Sequence, residues 1–128
     1  MLRKKLFWWL YAFFMSVLTY LSLTPISAEK LPQIPFFDKI AHLGFYFLVT
    51  FLFFLSWSRF SFFFSGTKRV LIGGILFHVF YGMIIEIIQA YLIFGRYGEW
   101  EDALANTIGV LAAAFLFFLY FYKKQILN

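Results

Sequence analysis

The sequence has no cysteine and few charged residues. The lack of cysteine excludes disulfides, thiolate nucleophiles, iron–sulfur clusters and thiolate zinc sites. Charged residues make up only 13% of the 128 residues, against about 25% in a soluble domain. Hydrophobic residues make up 63%, which is more apolar material than one small core can bury. The composition therefore excludes a water-soluble monomer and predicts an integral membrane protein.

Four apolar stretches are long enough, or nearly so, to cross a bilayer. A membrane-spanning helix needs about 20 mostly apolar residues. The stretches cover residues 6–24, 40–57, 70–94 and 103–122. None of them alternates in the manner of β-barrel strands. We therefore predict an all-α, polytopic membrane protein, in which residues 1–128 form a single domain built as a bundle of four transmembrane helices with short loops.

The first apolar stretch follows a basic segment, as the apolar core of a secretory signal also does. Residues 6–24 exceed the about 7–15 residues of a signal peptide's apolar region. Ile26 is also a poor residue for a cleavage site that prefers small side chains. We therefore expect the first stretch to be retained as a transmembrane helix.

The distribution of lysine and arginine predicts the orientation. Eight of the 11 basic residues fall at the two termini and in the second loop, and three fall in the first and third loops. Because basic residues stay on the cytoplasmic side, both termini are predicted to be cytoplasmic. The basic residues lie between apolar stretches and form no continuous stripe, so the net charge of +5 does not indicate a nucleic-acid partner.

In this orientation, polar side chains of three helices gather in the outer half of the bundle. Asp38, His42 and Tyr46 are spaced i, i+4 and i+8, which places them on one helical stripe. Glu86 interrupts an otherwise apolar helix, where a carboxylate costs about 2.5–3.5 kcal/mol on insertion scales. Such residues usually face the protein interior and serve a function. The candidate site residues are Asp38, Lys39, His42, Glu86, Gln89, Arg96, Asp102 and Asn106.

Several of these residues also have a purely structural interpretation. Asp38 and Asp102 could each cap the N-terminus of a helix, and Lys39 could extend its ammonium to the membrane interface. Asn106 could join two helices by a hydrogen bond. Glu86 has Arg96 and His42 as expected partners.

Two features outside the site are interpreted as packing. Gly109 and Ala113 follow Asn106 on the same stripe and favour a close helix–helix contact over a ligand contact. His78 lies near the middle of the third stretch and is interpreted as a packed, hydrogen-bonded histidine.

The ordered motif resembles the VanZ-like membrane proteins. It reads Asp38-Lys39-x-x-His42, Glu86-x-x-Gln89, Arg96 and Asp102-x-x-x-Asn106-x-x-Gly109, and the resemblance covers about residues 36 to 115. It implies a small multi-pass protein of the bacterial cytoplasmic membrane, in a family whose named member is linked to teicoplanin and lipoglycopeptide resistance. It implies the same eight polar residues as the functional set. Ala113 stands where the family often has a second glycine.

The first functional hypothesis is binding of a cell-envelope molecule, either a lipid-linked wall precursor or an anionic lipid. Arg96 and Lys39 would hold phosphate or carboxylate, because a guanidinium binds such anions through two parallel hydrogen bonds. Gln89, Asp102 and Asn106 would orient the head group. Resistance to a glycopeptide would then follow from altered access to the precursor.

Two further hypotheses belong to other classes. A membrane-embedded hydrolase or transferase could use the oxygen and imidazole ligands of Asp38, His42, Glu86 and Asp102 to hold a divalent metal. Glu86, His42 and Asp102 are the candidates for catalytic acid–base work, although the sequence has no compact catalytic signature. Alternatively, the polar residues form a structural network that supports a partner protein. The sequence leaves open the presence of a metal or cofactor and the oligomeric state.

The predicted orientation can be tested with single cysteines, since the chain has no native cysteine. Cysteines at Leu31 and Tyr97 should react with a membrane-impermeant maleimide in intact cells, and a cysteine at Gly66 should react only after permeabilisation. The opposite labelling pattern would contradict the charge argument and place the polar layer on the cytoplasmic side.

Overall fold

The computed structural model describes residues 2–25, 36–60, 67–93 and 98–126, with side chains for 5–25, 36–57, 68–93 and 98–120. These residues form four helices: α1 (Leu2–Leu23), α2 (Phe37–Phe60), α3 (Thr67–Leu92) and α4 (Trp100–Ile126). No strand occurs among the described residues. The all-helical, four-helix prediction is confirmed.

Each helix is long and apolar enough to cross a membrane. The candidate spans contain 19 to 25 residues, and about 20 helical residues at about 1.5 Å each cover the hydrocarbon thickness. The outer faces expose large apolar side chains, among them Trp9, Phe80 and Phe115. Such a surface suits lipid tails and is unsuited to water. The chain is therefore a multi-pass membrane protein.

Two helices begin earlier than the hydropathy pattern predicts. The predicted starts were residues 40 and 103, whereas α2 begins at Phe37 and α4 begins at Trp100. Asp38 and Asp102 consequently lie inside the first helical turn and do not occupy the N-cap position, which precedes that turn. The capping interpretation of both residues is therefore wrong. Hydropathy misses these turns because they are polar, although their backbone is helical.

The third helix also differs at its end, since α3 stops at Leu92 and the apolar stretch continues to Phe94. Arg96 lies outside the described residues, so its expected contact with Glu86 remains a prediction.

The helices pack as a bundle in which α2 and α4 form the most extensive pair. α2 and α3 each contact all three other helices, and α1 packs against α2 and α3. The core next to α1 contains Leu18, Tyr46, Val49 and Val110. This arrangement leaves the start of α2, the end of α3 and the start of α4 together at one end of the bundle.

Gly109 permits the close approach of α4 to α2. A Cβ atom at Gly109 would overlap the Leu43 carbonyl oxygen and lie 3.0 Å from the Phe47 amide nitrogen. Because these are backbone atoms, they cannot move aside as a flexible side chain can. The predicted packing role of Gly109 thus has a direct cause, and the contact sets the distance between the two helices next to the polar residues.

We expect Gly109→Ala to destabilise the bundle, whereas Gly44→Ala should not. A Cβ at Gly44 would have no atom within 4 Å, so this substitution tests the glycine-to-alanine change without the clash. Overpacking typically costs about 1–3 kcal/mol, which should lower the unfolding midpoint of Gly109→Ala in detergent. Equal midpoints for the two variants would contradict the close contact.

Candidate functional site

Three helices meet at a buried hydrogen-bonded bridge. His42 Nδ1 on α2 lies 3.0 Å from Asn106 Oδ1 on α4. Asn106 Nδ2 donates to Glu86 Oε1 on α3 at 3.1 Å. The three residues are at most 7% exposed. We call this arrangement the Asn106 bridge, and it joins α2, α3 and α4 through side chains alone.

The bridge determines which ring nitrogen of His42 carries a proton. An amide oxygen only accepts hydrogen bonds, so His42 Nδ1 is the donor to Asn106 Oδ1. The opposite orientation of the amide would place its oxygen against Glu86 Oε1, and two acceptors would then face each other. In neutral His42, Nε2 is therefore the nitrogen with the free lone pair. It lies 3.7 Å from Asp38 Oδ1.

Lys39 forms an ion-pair network at the rim of the same end. Its Nζ lies 2.8 Å from Glu99 Oε2 and 3.5 Å from Asp102 Oδ1. The Lys39 and Glu99 side chains are 31% and 51% exposed, while Asp102 is 4% exposed. The ammonium is thus already paired with two carboxylates. Direct binding of an anionic head group by Lys39 therefore stays a prediction.

Carboxylates outnumber ammonium groups among the described residues at this end of the bundle. Among the described residues, the carboxylates of Asp38, Glu86, Glu99 and Asp102 share this end with the single ammonium of Lys39. Within the same residues, Glu86 Oε2 and Asp102 Oδ1 are buried and accept no hydrogen bond. A buried polar group without a hydrogen bond is costly. Such atoms commonly indicate a ligand, an ion or water.

One group of donor atoms has the composition of a metal site. Asp38, His42 and Asp102 each offer one ligand atom, and these three atoms lie within 4.8 Å of one another. Asp38 is half exposed, whereas His42 and Asp102 are buried. The group therefore opens to the surface on one side only.

Gln89 is directed away from the other candidate residues. Its Nε2 donates to the backbone carbonyl oxygen of Ser22 at 2.7 Å, which ties α3 to the end of α1. The structure therefore gathers into one group six of the seven candidate residues that it describes. They are Asp38, Lys39, His42, Glu86, Asp102 and Asn106, and together with Glu99 we call them the polar cluster.

Three further residues contribute to this end of the bundle in ways that the sequence pattern does not reveal. Glu99 lies just before α4, and only its position near Lys39 in the folded chain shows its role. Tyr46 was noted on the stripe of Asp38 and His42, but its complete burial was not predicted. Gly98 packs onto α3, because a Cβ there would lie 2.6 Å from the Glu86 carbonyl oxygen. No sequence signal identifies this loop contact.

His78 belongs to a separate buried contact between α1 and α3. Its Nδ1 lies 2.8 Å from the Gly74 carbonyl oxygen, so Nδ1 donates. Its Nε2 then accepts from the Tyr11 hydroxyl at 3.3 Å. The ring is fully buried among aromatic side chains. Both nitrogens are thus used in packing, in agreement with the structural interpretation of His78.

A sequence model of the VanZ/LLP1 family matches residues 3–121. The chain belongs to the VanZ/LLP1 family. The matched range covers the first three predicted spans, all but the last residue of the fourth and every residue of the polar cluster, so the resemblance inferred from the motif is confirmed. No curated protein and no solved structure matches this VanZ/LLP1 family member. Its function must therefore be argued from its own residues.

The Asn106 bridge predicts a large stability loss for Asn106→Leu. Leucine has a similar size but leaves His42 Nδ1 and Glu86 Oε1 buried without a partner, at about 1–3 kcal/mol for each group. The control is Thr107→Val, which removes only a hydrogen bond within one helix, from Thr107 Oγ1 to the Ala103 carbonyl oxygen. Thermal unfolding in detergent should separate the two variants. Equal stability would show that the bridge does not hold the helices.

Proposed function

We propose that this VanZ/LLP1 family member binds the polar head group of a cell-envelope lipid or lipid-linked wall precursor in the cytoplasmic membrane. The proposal depends on one observation above all, the two buried carboxylate oxygens of the polar cluster that accept no hydrogen bond from the described residues. Head groups of this class carry hydroxyl, amide and ammonium donors, which would satisfy such acceptors.

The depth of the cluster supports a ligand that enters from the membrane interface. Glu86 lies six residues before Leu92, the last residue of α3, which corresponds to about 9 Å along the helix axis. Lys39 and Glu99 are partly exposed at the rim, while Glu86 and Asn106 are buried at the base. A head group that enters between the helix ends would meet polar atoms along its whole path.

The family supports a connection with the cell envelope. The resemblance to VanZ-like proteins implies a contribution to resistance against teicoplanin or lipoglycopeptides. These drugs act on lipid-linked wall precursors. In this proposal, the protein changes the access of the drug to the precursor by holding its head group. Arg96, which lies outside the described residues, is the proposed partner of a phosphate.

A second candidate function is a membrane-embedded hydrolase or transferase. The observation that favours it is the close grouping of Asp38, His42 and Asp102. Glu86 could then act as a general base beside this group, since its Oε1 lies 3.6 Å from His42 Nδ1. Turnover of an added lipid-linked precursor by the purified protein would favour this candidate over simple binding.

A structural scaffold is the third candidate, and the Asn106 bridge is what favours it. A scaffold needs Glu86 only as the acceptor for Asn106, whereas binding also needs its second oxygen. Glu86→Gln can still accept from Asn106 through its amide oxygen, so it separates the two functions.

We expect Glu86→Gln to fold normally and to lose function. Glutamine keeps the size of the side chain, but it lacks the negative charge and turns one acceptor oxygen into a donor. In a susceptible bacterial host, the wild-type chain should raise the inhibitory concentration of teicoplanin, and Glu86→Gln should return it to the empty-vector value.

The matched control is Glu101→Gln, which removes a carboxylate from the first turn of α4 but lies outside the polar cluster. It should retain the wild-type inhibitory concentration at equal protein abundance in the membrane. Full resistance with Glu86→Gln would assign Glu86 to the structural network and reject binding through its carboxylate.

A further inference from the structure

We propose that Asp38, His42 and Asp102 form a divalent-cation site at the mouth of the polar cluster, and that the bound cation holds the phosphate of the head group. The cation site stands on the geometry of its three residues. Its role in holding phosphate rests on the proposed function.

The three ligand atoms are close to the spacing that a metal requires. They lie within 4.8 Å of one another, and ligands at about 2.1 Å from a tetrahedral cation are about 3.4 Å apart. Binding therefore draws the ligand atoms closer together, and Asp38 is the ligand with room to move. Asp38 can rotate because its side chain is 46% exposed.

His42 is already oriented as a metal ligand. Its Nδ1 donates to Asn106 Oδ1 at 3.0 Å, so in the neutral ring the Nε2 lone pair faces Asp38 Oδ1 at 3.7 Å. Two acceptors that face each other at this distance gain from a cation between them. Histidine ligands of metals characteristically donate their second ring nitrogen to an oxygen, which fixes the tautomer and the ring plane. In this arrangement Asn106 supplies that oxygen.

Asp102 supplies an independent indication of a cation ligand. Its Oδ1 is buried and accepts no hydrogen bond from the described residues. Lys39 Nζ lies 3.5 Å from this oxygen but is held more closely by Glu99, at 2.8 Å. A metal ion could therefore displace the ammonium from Asp102 while Glu99 retains it. Lys39 then acts as an exchangeable counter-charge.

The ligand set indicates the class of cation. One imidazole and two carboxylates suit Zn²⁺ or Mn²⁺, whereas Mg²⁺ and Ca²⁺ prefer oxygen ligands throughout. Three protein ligands leave at least one coordination position for water or a phosphate oxygen. A cation in this position would allow the cluster to bind an anionic head group, which its excess of carboxylates would otherwise repel.

The site is tested with the full chain in non-ionic maltoside micelles, which contain no phosphate. After treatment with a chelator, Mn²⁺ is titrated and the free ion is measured by electron paramagnetic resonance. We expect one Mn²⁺ per chain. Loss of a second-sphere partner alone typically weakens metal binding by about 10–100-fold, so Asp102→Asn and His42→Gln should each weaken it at least as much. Glu101→Gln should bind as the wild type does.

Two measurements keep the test independent of folding defects. Lys39→Gln removes the competing ammonium and should bind Mn²⁺ more tightly, whereas weaker binding would contradict the displacement of Lys39. Electron spin echo modulation should detect an imidazole nitrogen on the bound Mn²⁺ of the wild type. Absence of that nitrogen, or equal Mn²⁺ affinity in Asp102→Asn and wild type, would overturn the site.

A polyprenyl monophosphate added to the micelles separates the cation site from its proposed role. The lipid should co-purify with the Mn²⁺-loaded protein and be released by EDTA. If Mn²⁺ binding depends on the three residues but lipid retention is unaffected by EDTA, the cation site holds and its role in phosphate binding is rejected. If no lipid is retained at all, the proposed head-group function itself fails.

Discussion

A single amide inside the membrane, that of Asn106, determines how three helices meet. It accepts from His42 on α2 and donates to Glu86 on α3, and it is 1% exposed. Neither neighbour could be buried at low cost without it, because an apolar surrounding offers no substitute for a lost hydrogen bond. The close contact at Gly109, one helical turn further along α4, brings the two backbones near enough for this amide to reach across.

The same contacts bury more carboxylate oxygens than the donors of the described residues satisfy. The bridge uses one oxygen of Glu86 and leaves the other buried without a hydrogen bond from the described residues, and Asp102 Oδ1 likewise accepts none. A scaffold would gain stability by replacing these carboxylates with apolar side chains of similar size. Their presence at the interfacial end of an otherwise apolar bundle therefore favours a role in binding, with a cation as the component that links the acidic cluster to an anionic head group.

The fold could be predicted from the sequence almost entirely, because hydrophobic stretches of membrane length permit few alternatives. The meeting of Asp38, His42, Glu86, Asp102 and Asn106 could also be predicted, since helical spacing and alternating direction place them in one layer. Contacts across loops could not be predicted: the pairing of Lys39 with Glu99 depends on how the chain enters α4, and the bond from Gln89 to Ser22 depends on the rotation of α1. The helix starts were misplaced because polar first turns carry no hydropathy signal.

The most direct test of the central claim is native mass spectrometry of the protein released from membranes of a bacterial host. If the polar cluster holds a head group through Glu86, the wild-type spectrum should contain a lipid adduct of one defined mass, and this adduct should disappear in Glu86→Gln while Glu101→Gln retains it. The same adduct in all three proteins, or a broad mixture of annular lipids without a defined species, would contradict the account.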